Sequence, residues 1–222
     1  MIPAAVLFDC DGVVVDSEPA TFALIREDLA AHGLTLTAEE ADHHFLGGTI
    51  RGVGDKARSL GARLPPLWHE DFYDRLYARL AAGTPLIGGV VAVFDALDAA
   101  GVPYAIGSNG TGRKMAVTLG QHPDLVPRLR DRCFSGQDLG MLKPAPDLYL
   151  HAARALGVDP AACVVIEDSA TGARAARCAG MRCLGYAPKG VAPALAAEGA
   201  RLFSAMADLP ALLGLHAGKG AA

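Results

Sequence analysis

Short apolar runs alternate with amphipathic stretches along most of the chain. Residues 4–8 (AAVLF) form an apolar run that ends in Asp9, and Gly12 follows too soon for a helix, so the pattern predicts a buried strand. Two runs share this form: residues 102–107 (VPYAIG) stop at Ser108-Asn109-Gly110, and residues 163–166 (CVVI) stop at Glu167-Asp168. Weaker strand signals lie at 132–134, 182–185 and 202–203. Helical periodicity fills the gaps. Residues 147–156 place Leu148, Ala152, Ala155 and Leu156 on one face, and residues 90–100 are apolar on one side. Residues 171–179 carry a narrow stripe of Gly172, Ala176 and Ala179 that suits close approach to a sheet. Buried strands alternating with helices predict an α/β fold: a doubly wound (Rossmann-like) parallel sheet with helices on both faces.

Residues 17 to about 84 break the alternation. Phe22, Ile25 and Leu29 fit one helix, and Phe72, Leu76, Tyr77 and Leu80 fit another, with no convincing strand between them. Gly47, Gly48, Gly52, Gly54 and Pro65-Pro66 separate the helices, and the strand-helix pattern resumes after residues 85–89 (PLIGG). The expected organisation is an α/β core domain from residues 1–16 and 86–222, with a helical cap domain, residues 17–85, inserted after the first strand.

Composition narrows the function classes. The 222 residues are 51% apolar, enough for a substantial core, and the formal net charge is −4 with no basic run, which speaks against nucleic acid as a partner. An anionic ligand must therefore be held by local features rather than by the overall field. The five cysteines show no metal-ligand spacing and read as small hydrophobes in a reduced compartment. With no signal-like segment and no apolar run near the ~18 residues of a membrane span, the expected location is the cytoplasm, away from membranes, and no protein partner is implied. The tail 217–222 (AGKGAA) is expected to be without consequence.

Ligands of open parallel sheets bind beyond the carboxyl ends of the strands. That rule gathers Asp9 and Asp11, Ser108 and Asn109, and Glu167 and Asp168 at one edge, with Lys143 in a loop just before Pro144 and a helix. So many carboxylates together call for a cation, and an all-oxygen ligand set points to magnesium. The cation makes an anion welcome, and Ser108, the Asn109 and Gly110 amides and Lys143 supply the donors that a phosphate needs. In the D-x-D pair, two residues apart on an extended segment face one side. One can be a nucleophile and the other, if protonated, an acid and then a base, with mutual repulsion separating their pKa values. Asp9 and Asp168 carboxylates more than about 8 Å apart would exclude a shared magnesium with its ~2.0–2.1 Å contacts.

Four motifs then stand in order: FDCDGVVVDSE from Phe8, Ser108-Asn109-Gly110, Lys143-Pro144-Ala145-Pro146-Asp147, and Glu167-Asp168-Ser169-Ala170-Thr171-Gly172. Together they resemble the haloacid dehalogenase-like hydrolase superfamily, in the branch with a helical cap after the first motif. The resemblance implies that Asp9 is the nucleophile and a magnesium ligand. It implies that Asp11 is the general acid and base and meets the metal through its backbone carbonyl. Ser108 and Lys143 then bind the phosphoryl group, and Asp168, assisted by Glu167, ligates the metal. The expected activity is a phosphatase acting on a small phosphorylated metabolite, a sugar phosphate or sugar-acid phosphate such as 6-phosphogluconate. A β-phosphoglucomutase-like activity is the alternative: residues 46–51 (LGGTIR) look mutase-like, with Arg51 matching a substrate-contacting cap arginine, but Thr21 stands where that pattern expects a histidine. A catalytically silent phospho-aspartate regulator is the remaining class, disfavoured by the insert and by a nucleophile on the first strand. His43-His44 read as a solvated helix face, Trp68 as cap core and Cys10 as packing.

Overall fold

The computed structural model describes residues 2–45 and 48–215. Six strands form one parallel sheet: β1 (Ala5–Phe8), β2 (Tyr104–Ser108), β3 (Cys133–Ser135), β4 (Cys163–Glu167), β5 (Arg182–Tyr186) and β6 (Arg201–Phe203), in the order β3-β2-β1-β4-β5-β6. Every strand predicted from the apolar runs is present, within two residues at either end. The strand order reverses at β1, so connecting helices leave to opposite faces and a crevice opens at its carboxyl end.

β1 is buried along its whole length because both faces are covered, and its alternate residues feed two separate layers. Val6 and Phe8 pack with Val93, Phe94 and Leu97 of α5 (Val90–Ala99) and with Tyr104 and Ile106 of β2, while α6 (Gly112–Leu119) adds Met115 to that layer. Ala5 and Leu7 face the other way, toward α8 (Asp147–Ala155) and α9 (Ala170–Cys178). The alanines of α9 lie against this layer as the small-residue stripe predicts. On α8 the buried face is centred on Leu148, Tyr149, Ala152 and Ala153. Ala155, expected on that face, falls past its edge and is exposed. Short α7 (Gly136–Leu139), α10 (Pro193–Ala197) and α11 (Leu209–Leu212) complete this part of the chain.

Between β1 and β2 lie α1 (Glu18–Ala31), α2 (Ala38–Phe45), α3 (Ile50–Ser59) and α4 (Trp68–Ala81), with a hydrophobic cluster of their own. Ile25, Leu29, Phe72, Leu76 and Leu80 surround Trp68, whose ring lies 4.8 Å from that of Phe72. Asp28 is buried inside this cluster and accepts hydrogen bonds from the Trp68 indole Nε1 and from Arg75. Residues 46 and 47 of the segment compared with mutases, and the tail 217–222, lie outside the described residues.

Two chain crossings join this helical unit to the sheet, and they hydrogen-bond to each other. The Asp16 amide donates to Pro85 O at 2.8 Å and the Ile87 amide to Val14 O at 3.0 Å. A second attachment runs along α4 and α6. Tyr77 Oη meets Thr111 Oγ1 at 2.7 Å, Arg113 pairs with Asp74 at 3.0 Å while lying over the Tyr77 ring, and Val117 packs against the cap cluster. The helical unit therefore sits over the carboxyl end of the sheet. Among the described residues no helix is long and apolar enough to cross a membrane.

Replacing Asp28 by alanine leaves the Trp68 indole N–H buried without an acceptor. The expected cost is about 1–3 kcal/mol, read from denaturant unfolding, with Asp28→Asn recovering part of it because an amide oxygen still accepts.

Candidate active site

The site begins with Asp9, one residue beyond β1. Its amide donates to Ile166 O at 2.9 Å, so the strand geometry continues through it and aims its carboxylate out of the sheet edge. The chain then folds back sharply: the Val14 and Val15 amides both donate to Cys10 O, and Gly12 takes a positive φ of 78°. A Cβ at Gly12 would stand 2.0 Å from Asp168 Oδ2, so only glycine leaves room for that carboxylate. Cys10 points into the core, as expected from its place between the two acids.

Lys143 is the centre of the arrangement. Its buried ammonium donates to Asp9 Oδ1 at 2.5 Å and to Glu167 Oε1 at 2.6 Å, and lies 4.7 Å from the centre of the Tyr149 ring. Burial works against its charge, but the two carboxylates outweigh that and raise its pKa. Asn109 fixes the lysine backbone from both sides: its Oδ1 accepts from Lys143 N at 2.8 Å and its Nδ2 donates to Lys143 O at 3.1 Å. The Asn109 side chain, one of the residues assigned to phosphate, is thus a clamp on Lys143. Ser108, at the end of β2, is buried and its Oγ accepts from the Gly110 amide at 2.9 Å.

Asp9, Glu167 and Asp168 bring three carboxylate oxygens within 4.8 Å of one another, well inside the separation that one cation tolerates. Burial raises Asp9 to about 7, with Glu167 and Asp11 adding to the effect against the opposing pull of Lys143. Burial and the charges of Asp9, Glu167 and Glu18 push Asp168 well above the carboxylate range. A divalent cation relieves this repulsion, and an oxygen-only donor set suits a hard one. Glu167 lies inside the cluster, but its oxygens are already engaged. Oε1 accepts from Lys143 and from Tyr149 Oη at 2.8 Å; Oε2 accepts from the Asp168 and Ser169 amides and from Ser169 Oγ. Burial alone would raise Glu167, yet these donors hold it below the usual range, so its geometry suits holding Lys143. Gly172 makes room for it: a Cβ there would lie 1.6 Å from Glu167 Oε1.

The Asp11 carboxylate does not join that cluster. It accepts from Ser17 Oγ and pairs with Lys114 Nζ at 2.8 Å. Its backbone carbonyl is what remains for an ion. Burial would raise its pKa, but Lys114, Ser17 and Lys143 together lower it. The two pKa values are thus separated, Asp9 raised and Asp11 lowered, and the ion pair with Lys114 contributes to the lower one. Lys114 had a signal. It is the third residue of α6, where a cation opposes the helix dipole unless an anion faces it. Tyr149, a buried tyrosine on an otherwise aliphatic and alanine face, also had one, since its hydroxyl needs a partner.

These groups line a cavity of about 1110 Å³ between the sheet edge and the cap, which α1 enters with Glu18, Thr21 and Phe22. Arg51 is not brought to it. Its guanidinium is exposed and meets His69 Nε2 at 3.2 Å.

A family model for haloacid dehalogenase-like hydrolases matches residues 3–180. The chain is a haloacid dehalogenase-like hydrolase. It is 34% identical over 179 residues to 6-phosphogluconate phosphatase of Escherichia coli (strain K12), covering 80% of this chain and 79% of that protein. It is 31% identical over 191 residues to the protein CbbY of Rhodobacter capsulatus, covering 80% and 82%. Among solved structures, a hydrolase of the same family from Deinococcus radiodurans, with bound phosphate and sodium, superposes with a TM-score of 0.78 at 36% identity, covering 96% of each chain. CbbY of Rhodobacter sphaeroides in complex with xylulose 1,5-bisphosphate gives a TM-score of 0.79 at 28% identity, covering 98% of this chain and 100% of that one.

Two outcomes follow for the hydrolase. In the absence of a cation the folded state keeps a proton on Asp9 that the unfolded chain has lost between its ordinary value of 3.8 and about 7. The metal-free protein therefore loses stability as pH rises through that window. A divalent cation binds the ionised carboxylates, so the rise in Tm that it produces is larger at pH about 8 than at pH about 5.5; equal rises would contradict the cluster as a cation site. Gly172→Ala forces Glu167 off its donors and is expected to cost about 1–3 kcal/mol in urea unfolding, as overpacking does.

Proposed function

We propose that the hydrolase is a magnesium-dependent phosphomonoesterase that acts on a small phosphorylated metabolite, a sugar phosphate or sugar-acid phosphate, through a phosphoryl group carried on Asp9. The observation that carries this reading is the convergence on Asp9 of Lys143, with Asp168 beside it, at the floor of a cavity of metabolite size. The relatives point the same way: one is named 6-phosphogluconate phosphatase, another solved relative holds phosphate and a cation, and a third holds a sugar bisphosphate.

Asp9, Asp168 and the Asp11 backbone carbonyl would hold the magnesium, which supplies positive charge opposite the transferring phosphoryl oxygens. Lys143 and Ser108 hold that group beside Asp9. In the first half-reaction an Asp9 oxygen attacks phosphorus, the bond from phosphorus to the substrate oxygen breaks, and Asp11 gives that oxygen its proton. Asp11 rests ionised against Lys114, so it must take up a proton as substrate arrives; the phosphate's own negative charge beside it favours this. In the second half-reaction Asp11 takes a proton from water, the water oxygen attacks phosphorus, and the bond to Asp9 breaks, which releases inorganic phosphate. The cap over the cavity keeps bulk water away from the first step.

The mutase alternative draws less support. Thr21, where that pattern expects a histidine, directs its hydroxyl to Ser17 O at 2.8 Å and offers no group that titrates near neutrality.

A panel of phosphorylated sugars, polyols and sugar acids with magnesium should release inorganic phosphate from at least one member. Asp9→Asn should lose all but about a thousandth of kcat, and Asp11→Asn a comparable share, the scale of losing a nucleophile or an acid-base group. Isomerisation of a sugar 1-phosphate in the presence of its bisphosphate, without phosphate release, would favour the mutase.

A further inference from the structure

The phosphate end of the cavity is rich in compensated charge, but the part that receives the rest of the substrate is not. Glu18 opens α1 and lines the cavity wall next to the reacting groups. Asp11 and Asp168 line the same cavity. Among the described residues the Glu18 carboxylate accepts no hydrogen bond and forms no ion pair. Asp42 of α2 contributes a second acid to the same wall. The lysines that line the cavity do not offset them. Lys143 is taken by Asp9 and Glu167, and Lys114 by Asp11, which leaves only Lys189, exposed on the loop after β5.

We infer that Glu18 selects a substrate whose non-phosphate part is an uncharged polyol or sugar, its hydroxyls donating to the Glu18 carboxylate, and that it rejects sugar-acid phosphates. The inference rests on the phosphomonoesterase reading and narrows it. A hydroxyl that donates to a carboxylate forms a short, charge-assisted hydrogen bond, and Glu18 offers that acceptor on the wall of the cavity that Asp11 also lines. A second carboxylate on the substrate would instead face Glu18 and Asp42, and of the described lysines that line the cavity the exposed Lys189 alone is left to oppose them. Like charges brought together where water is scarce are strongly disfavoured. Thr21, Thr49, Tyr73 and Gln137, which also line the cavity, are neutral groups that match hydroxyls and add no positive charge.

The test uses matched pairs that differ in this one group: glucose 6-phosphate against 6-phosphogluconate, and glycerol 3-phosphate against 3-phosphoglycerate. p-Nitrophenyl phosphate, which has neither hydroxyls nor carboxylate, reports phosphatase activity by itself, and glucosamine 6-phosphate reports a preference for an ammonium. With magnesium and the wild-type protein, kcat/KM for each neutral member should exceed that for its acid by at least about tenfold, the scale of like-charge rejection at a binding site. Glu18→Gln should shrink that ratio by about tenfold, and Asp42→Asn, at an exposed position, should shrink it by less, each with Tm near wild type. Equal or better turnover of the acids overturns the inference while p-nitrophenyl phosphate turnover leaves the phosphatase reading standing. A ratio unmoved in both variants, or glucosamine 6-phosphate preferred over glucose 6-phosphate, also overturns it. No release from any substrate, p-nitrophenyl phosphate included, overturns both readings.

Discussion

One buried ammonium shared between two carboxylates organises this protein. Lys143 is removed from water and held by Asp9 and Glu167 at once. A buried charge of this kind is tolerable only when fully paired, and removing either partner leaves an uncompensated ion. The surrounding structure follows from that demand. Asn109 grips the lysine backbone, Tyr149 and Ser169 satisfy the remaining capacity of Glu167, and Gly172 and Gly12 yield the space that Glu167 and Asp168 occupy. β1, β2, β4 and the loop before α8 are tied together through side chains at the end of the sheet where the strand order reverses.

Electrostatic compensation is local and tight across the whole site. Asp11 has Lys114, Glu167 has Lys143, and the excess negative charge is left on Asp9 and Asp168, where repulsion and burial raise both pKa values. In a weakly acidic chain with a formal charge of −4, the positive charge in this cavity is local, supplied by Lys143 and Lys114 at fixed places. The four-helix cap completes this by bringing Glu18 and Asp42 over the opening and by anchoring itself to the core through α4 and α6.

Much of this was legible in the sequence because the signals were short-range. Apolar runs that stop at Asp9, Ser108 and Glu167-Asp168 mark strand ends, and the rule for open parallel sheets places those ends together. The run of helices between β1 and β2 was legible from the loss of alternation between residues 17 and 84. What the sequence could not supply was partner choice among polar side chains, which depends on contacts between distant segments. Asn109 faces Lys143 because the loop carrying that lysine lies beside the end of β2; no local pattern says so. Lys114 reaches Asp11 across the same gap, and only its unfavourable place in the first turn of α6 hinted at it. Arg51 shows the converse. The motif match drew it toward substrate, but on α3 its guanidinium turns to His69 instead.

In the proposed reaction Asp9 carries the phosphoryl group between the two halves. Acid quenching of the hydrolase during turnover, followed by mass measurement of its peptides, tests this most directly. The expected result is a peptide containing Asp9 heavier by one phosphoryl group, sensitive to hydroxylamine and absent from Asp9→Asn. Full turnover by the wild type with phosphate found on another residue, or undiminished turnover by Asp9→Asn, would contradict it.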